Sequence, residues 1–353
     1  MRIKVAFVDR DKTYLNRLVT TLNAKMSDKL DACSFSDVHY VYEYLKQNRN
    51  AVVVVSEELE VEFTKIPESI SFAWLVEMGG VAQCKGQKAI CKYQRVEDIY
   101  KEILNLFSEK ATNDYKMQAR TDNERVYVFT SPKGGTGAST MACACAYRKA
   151  RDGKKVFYLN LEDFGNTALY FDGECKYTMS DVLFAVKSKK ANVAIKLESY
   201  LQQHSSGVDY FSSCQNPYDM FSLNANDIEV ILNEFLFVKE YDYLIIDISF
   251  SMRSVFQKVI CEFPNAIFLV NDGSESGNHK VRRSLGVFQM LEQEKDCDII
   301  SKIRLIYNNM SNRPDCNIVE QPIETLGAVN RFGGATNRQI IDEIVKESVF
   351  DSI

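Results

Sequence analysis

Between a β-branched and aromatic run at Arg125–Thr130 and a helical run at Met141–Lys149, the chain places three glycines in four residues, Gly134-Gly135-Thr136-Gly137, followed by Ala138-Ser139-Thr140. Glycines at such a junction let the backbone wrap a phosphate chain closely. The successive N–H groups at the start of a helix then form an anion nest. Glycines alone are a weak signal. Glycines followed by Ala-Ser-Thr, after a strand and before a helix, have the context a P-loop requires. Residues 133–140 are therefore expected to bind ATP, with the Ser139 hydroxyl offered to Mg2+.

One position departs from the ordinary motif. The residue before the serine is Ala138, where a lysine usually reaches the β- and γ-phosphates. Lys133, at the start of the loop, is the candidate replacement. A P-loop fold also needs an acid at the end of a neighbouring strand to hold the Mg2+ shell. The apolar run Tyr243–Ile246 ends in Asp247, which supplies one. Glu162 or Asp163, after the run Val156–Asn160, supplies a second.

The loop belongs to a longer α/β series. Candidate strands are Arg125–Ser131, Lys155–Asn160, Val208–Ser212, Tyr243–Ile248, Ala266–Asn271 and Ile303–Asn308. Continuous apolar runs of this kind suit a parallel sheet covered on both faces. Helical patterns, such as Ile228–Phe235 and Val255–Cys261, lie between them. The first 108 residues carry a separate series of strands at Ile3–Val8, Ala32–Phe35, Ala51–Val55, Phe72–Val76 and Ala89–Cys91. With helices between them these predict five βα repeats and a doubly wound sheet. The polar stretch 109–124 reads as a linker, leaving 125–353 as the second domain.

The net charge of −5 argues against a surface that coats nucleic acid. No apolar run approaches the ~20 residues that span a bilayer. The N-terminus runs straight into a strand pattern, without a secretory signal. Ten scattered cysteines without a CxxC pair fit free thiols in a reducing cytosol. Three distant histidines give no zinc-ligand spacing.

Lys133-Gly-Gly-x-Gly-x-Ser139 resembles the deviant Walker A motif of the MinD/ParA family. In that family's ATP-bound sandwich dimers the first lysine crosses to the partner's phosphates. Asn160-Leu161-Glu162 resembles the family's switch I with both acids altered, Tyr241–Asp247 its Walker B strand, and Leu305–Asn308 the strand whose terminal Asn308 reads adenine. The N-terminal domain resembles a response-regulator receiver of flavodoxin-like fold. Val8-Asp9-Arg10-Asp11 stands for its acidic cluster and Lys92 for its lysine, but Ser56 replaces the phospho-acceptor Asp. The domain order is similar to that of the TadZ/CpaE family of the tight-adherence (Flp, type IVb) pilus.

That resemblance implies a cytoplasmic, ATP-binding localisation factor, recruited to a pole or a membrane-associated assembly. It implies slow or absent hydrolysis using Lys133 and Glu162, a homodimer, and pilus-assembly partners at the inner face of the membrane. Three rival functions fit the sequence less well. A DNA-partitioning ATPase would want more than the small clusters Lys187–Lys190 and Lys280–Arg283. A membrane-binding ATPase would want a basic amphipathic tail, whereas Ile340–Ile353 is acidic and better suited to packing on the core. A true response regulator would need an acid at Ser56. No DNA contact and no direct membrane insertion are expected.

Overall fold

The structure, a computed structural model, describes all residues except 1, 28, 49–50, 111–124, 173–174, 189–192, 237–240, 312–316, 319–320 and 352. The chain divides into two units, one of Met1–Lys116 with Ser188–Ser199, the other of Met117–Lys187 with Tyr200–Ile353.

The first unit runs β1 (Ile3–Val8), α1 (Lys12–Lys25), β2 (Leu30–Phe35), α2 (Val38–Gln47), β3 (Val52–Ser56), β4 (Ser71–Val76), β5 (Gln83–Cys84), β6 (Gln87–Cys91) and α3 (Val96–Lys110). Its sheet has the order β2-β1-β3-β4-β6-β5, parallel except for the β5–β6 hairpin. Alternate residues of each strand point to opposite faces. Val5, Phe7, Val52, Val54, Ala73 and Leu75 pack towards α1 and α3, while Ala6, Val8, Val53, Val55, Trp74 and Val76 pack towards α2.

Five βα repeats are not what forms. The β3–β4 connection holds only a 3-10 turn, Phe63–Lys65. Leu59 is buried there, and the Phe63 ring meets Phe72 edge-on at 5.0 Å. The β4–β6 connection is a hairpin, because Lys85 (φ 47°) and Gly86 (φ 75°) form a two-residue turn with both φ positive. Helix-breaking Gly79 and Gly80 precede it. The expected linker 109–124 lies outside the described residues, apart from its first two, which end α3.

The second unit contains β7 (Arg125–Thr130), α4 (Ala138–Arg151), β8 (Val156–Asn160), α5 (Met179–Lys187), the end of α6 (Val193–Tyr200), β9 (Gln202–Gln203), β10 (Val208–Tyr210), α7 (Ala225–Leu236), β11 (Tyr243–Asp247), α8 (Ser254–Glu262), β12 (Ala266–Asn271), α9 (Glu275–Lys295), β13 (Ile303–Met310), β14 (Glu324–Asn330) and α10 (Asn337–Ile344). The strand order is β14-β13-β12-β7-β11-β8-β10-β9, parallel except at β9. All six expected strands form. The sequence reading missed β14 and the two-residue β9.

Helix α4 buries Met141 through Tyr147 against the sheet. The small side chains Ala142, Cys143, Ala144, Cys145 and Ala146 let it lie close. The acidic tail spends its apolar face on this same core: Ile341, Ile344, Val345, Val349 and Phe350 are all buried there. No helix among the described residues is long and apolar enough to cross a membrane.

Candidate functional site

The loop 131–137 leaves the C-terminal end of β7 and enters α4 at Gly137, whose φ is 84°. Three side chains shape it. The Ser131 hydroxyl donates to Lys133 O (2.7 Å) and accepts from Lys133 N (3.2 Å). The Asn308 amide donates to Thr136 O at 2.8 Å, with Asn309 behind it at 3.3 Å. A Cβ on Gly137 would lie 2.5 Å from the Asn308 amide nitrogen. Asn308 is buried, and its amide braces the glycine loop.

β11 lies between β7 and β8, which puts Asp247 level with Phe129 and Asn160. Its Oδ2 accepts from the Tyr158 hydroxyl (2.7 Å) and the Asn160 amide (3.0 Å). Its Oδ1 is buried and has no hydrogen-bond partner among the described residues. Burial, and then the charge of Glu162, push the Asp247 carboxyl up to about 8; Tyr158, Ser139 and Asn160 pull the other way. The pull of Ser139 is felt although no hydrogen bond of ordinary geometry joins its hydroxyl to Oδ1. A buried carboxylate with a free oxygen, a second acid nearby and a hydroxyl across from it is short of a positive charge. A divalent cation beside Ser139 and Asp247 would supply that charge, and the donors are the oxygens Mg2+ takes.

Asn160 organises the segment after β8. Its amide lies 3.0 Å from Asp247 and 3.5 Å from Glu162 Oε2, and its Oδ1 accepts from Glu162 N at 3.2 Å. An aspartate there would add a third carboxylate to a buried cluster. Gly165 keeps the turn tight, since a Cβ would fall 1.9 Å from Asn160 Oδ1.

Ser139, Asp247, Asn160 and Glu162 are thus brought together. Lys133 is not with them. Its ammonium pairs with Asp272 and donates to the Ser274 hydroxyl at 2.7 Å. Burial alone would raise the Asp272 carboxyl, but Lys133 and Ser274 outweigh it and hold the group below its ordinary value. Sequence reasoning missed Asp272 and Ser274. The signal was present, because Asp272 follows the apolar strand β12 as Asp247 ends β11. It also missed Arg253, which pairs with Asp163 and so ties the segment after β11 to the one after β8.

In the first unit the receiver-like cluster is closed. Lys92 Nζ meets Asp9 Oδ2 at 2.8 Å, and Asp11 N donates to Asp9 Oδ1 at 2.8 Å. Burial would depress the Lys92 pKa, yet the bond to Asp9 raises it. Ser56 ends β3 and is buried. A lysine therefore neutralises the aspartate that a metal would need, and a hydroxyl stands where an acyl phosphate would form. Incubation with acetyl phosphate is expected to leave this unit unmodified; a labile phosphate on residues 1–108 by intact-mass spectrometry would refute that.

Residues 1–108 match a family model described as TadZ-like, receiver domain. Comparison with curated proteins gives no match. Among solved structures, a ParA family ATPase from Chlorobium tepidum is similar, at 19% identity, TM-score 0.53, over 65% of this chain and 96% of that one. A plasmid partition protein from Borrelia burgdorferi follows, at 16%, TM-score 0.50, 66% and 100%. The MinD cell division protein of Aquifex aeolicus gives 16%, TM-score 0.49, 65% and 94%. At these identities the first two establish the fold of the second unit.

Proposed function

We infer from this order of units, a TadZ-like receiver domain followed by a MinD/ParA-fold domain, which is the architecture of the TadZ/CpaE family, that the chain is an ATP-binding localisation factor for assembly of the tight-adherence pilus. ATP is the ligand of the loop 133–140. Ser139 and Asp247 hold Mg2+, which when bound offsets phosphate charge. Glu162 stands where an attacking water would be oriented. Asn308 and Asn309 hold the loop carbonyl of Thr136 by hydrogen bonds and so fix the loop's shape. Ala138 supplies no cation, so turnover falls below the ~1 s⁻¹ lower end of usual enzyme rates.

A homodimer formed in ATP fits the exposed apolar side chains flanking the site, Phe164 at 76% and Met252 at 45%. The closed Asp9–Lys92 pair supports a docking role for the first unit rather than a phosphorelay.

The observation that carries the reading is the buried Asp247 carboxylate, its Oδ1 without a hydrogen-bond partner among the described residues and Ser139 near enough to stabilise its charge, at the glycine loop. Calorimetric titration with ATP–Mg2+ is expected to give saturable heat and a thermal shift. Ser139→Ala should lose the Mg2+-dependent part of the affinity. No heat and no shift for the wild type would sink the reading.

A further inference from the structure

Helix α6 is buried along nearly its whole length, with only Val193 and Lys196 partly exposed. Residues through Ser199 belong to the first unit although 117–187 do not, and the last residue, Tyr200, belongs to the second.

The contacts within the first unit are specific. Ile195 joins the core formed by α1, α3 and the sheet. Glu198, three residues on and so on the same helix face, is 7% exposed. Its carboxylate pairs with Lys29 and accepts from the Tyr100 hydroxyl at 3.2 Å. A carboxylate this buried is tolerated only when paired and hydrogen-bonded. The segment lies outside the 1–108 span of the receiver family model, so the first unit is completed by chain that the domain itself does not encode.

The other end of the helix leads to the nucleotide site. The Tyr200 ring lies 4.5 Å from that of Tyr177. The chain continues through β9 into β10, which pairs with β8, the strand that ends at Asn160. Just beyond β10, Ser213 and Thr167 are joined by a reciprocal pair of bonds, each backbone N–H donating to the other's hydroxyl oxygen at 2.9 Å. Thr167 follows Glu162 by one short turn. Hydrogen bonds thus join the 160–167 segment to the end of β10, and β9 pairs β10 with the chain leaving α6.

We propose that α6 carries the nucleotide state of the second unit to the first: its Ile195–Glu198 face completes the first unit's core, while its C-terminal end is fixed to the chain that bolts onto the Glu162 segment. The inference rests on the nucleotide-binding reading above. Bound ATP–Mg2+ orders the 160–167 segment, the order passes through β10 and α6, and the α1–α3 layer tightens.

Hydrogen exchange on the full chain, with and without ATP–Mg2+, tests this. In the wild type, nucleotide should slow exchange in 133–140 and also, by about threefold or more, in α1 and α3. In Glu198→Gln the loop should still be protected while the α1 and α3 response is lost, and those helices should exchange faster even without nucleotide. Ile195→Ala serves as the second variant, and the wild-type experiment decides alone if both unfold. Loop protection with α1 and α3 unmoved in the wild type, or a response undiminished in both folded variants, would overturn the inference and leave ATP binding standing. An unprotected loop would overturn the nucleotide reading and this inference together.

Discussion

Gly137→Ala is expected to lower ATP affinity by about a hundredfold, from a loss of ~3 kcal/mol at 1.4 kcal/mol per tenfold. Two costs add. At φ 84° the backbone is in the left-handed region, which costs an L-residue roughly 1–2 kcal/mol. The new Cβ would also stand 2.5 Å from the Asn308 amide nitrogen. Asn308 must then leave Thr136 O, and a buried hydrogen bond lost without replacement costs about 1–3 kcal/mol. The loop opens at the point where α4 begins, so the nest of N–H groups is lost with it. Asn308→Ala removes the obstacle but also the brace. The two substitutions should therefore be non-additive, with the double variant binding better than the sum of the single losses predicts. Titration calorimetry on the four proteins reads this directly. Wild-type affinity in Gly137→Ala would mean that the loop does not hold the nucleotide.

The features visible in the sequence are those with a local cause. Tyr243–Asp247 reads as a buried strand because both faces of a covered parallel sheet demand apolar residues, and the acid at its end breaks the run. Gly134, Gly135 and Gly137 announce the loop because no other residue gives the chain that freedom beside a helix start. The tail was legible as core-packed because it is amphipathic yet acidic, and Ile341, Ile344 and Val345 are buried in the core. What stayed hidden depends on residues far apart in the chain. Lys133 and Asp272 meet across 139 positions. Tyr158 reads as an ordinary strand aromatic until β8 and β11 are paired. The receiver resemblance suggests a helix after β3, but Leu59, Phe63 and Ile66 cover the sheet without one. Nothing in Val193–Tyr200 says that Ile195 and Glu198 face the α1–α3 core.

The hidden contact with the greatest consequence is the one at Lys133. In the family that the loop resembles, this lysine reaches the phosphates of a partner subunit, but here it is held by Asp272 and Ser274 of its own chain. Both groups are only partly exposed, with Lys133 at 26% and Asp272 at 23%, so the pair is worth more than a solvated surface bridge yet less than a fully buried one: ~1.4 kcal/mol is a fair magnitude. In the proposed ATP dimer, a Lys133 that crosses to the partner's phosphates breaks this contact in both subunits. Asp272→Asn keeps the shape and removes the charge, so each subunit is relieved of that cost. The ATP-dependent dimer should tighten by about tenfold per subunit, or roughly a hundredfold in its dissociation constant. Ser274→Ala should act in the same direction and more weakly, because it removes a neutral acceptor. Lys133→Ala should do the opposite to function: without a cation to replace the one missing at Ala138, hydrolysis is lost and the ATP dimer weakens. Ala138→Lys should raise turnover by restoring that charge in cis. Sedimentation in ATP–Mg2+ and phosphate release, measured on the same preparations, separate these effects. A dimer unchanged in Asp272→Asn would show that the pair is not a latch. Unchanged sedimentation and hydrolysis in Lys133→Ala would show that the lysine has no part in either.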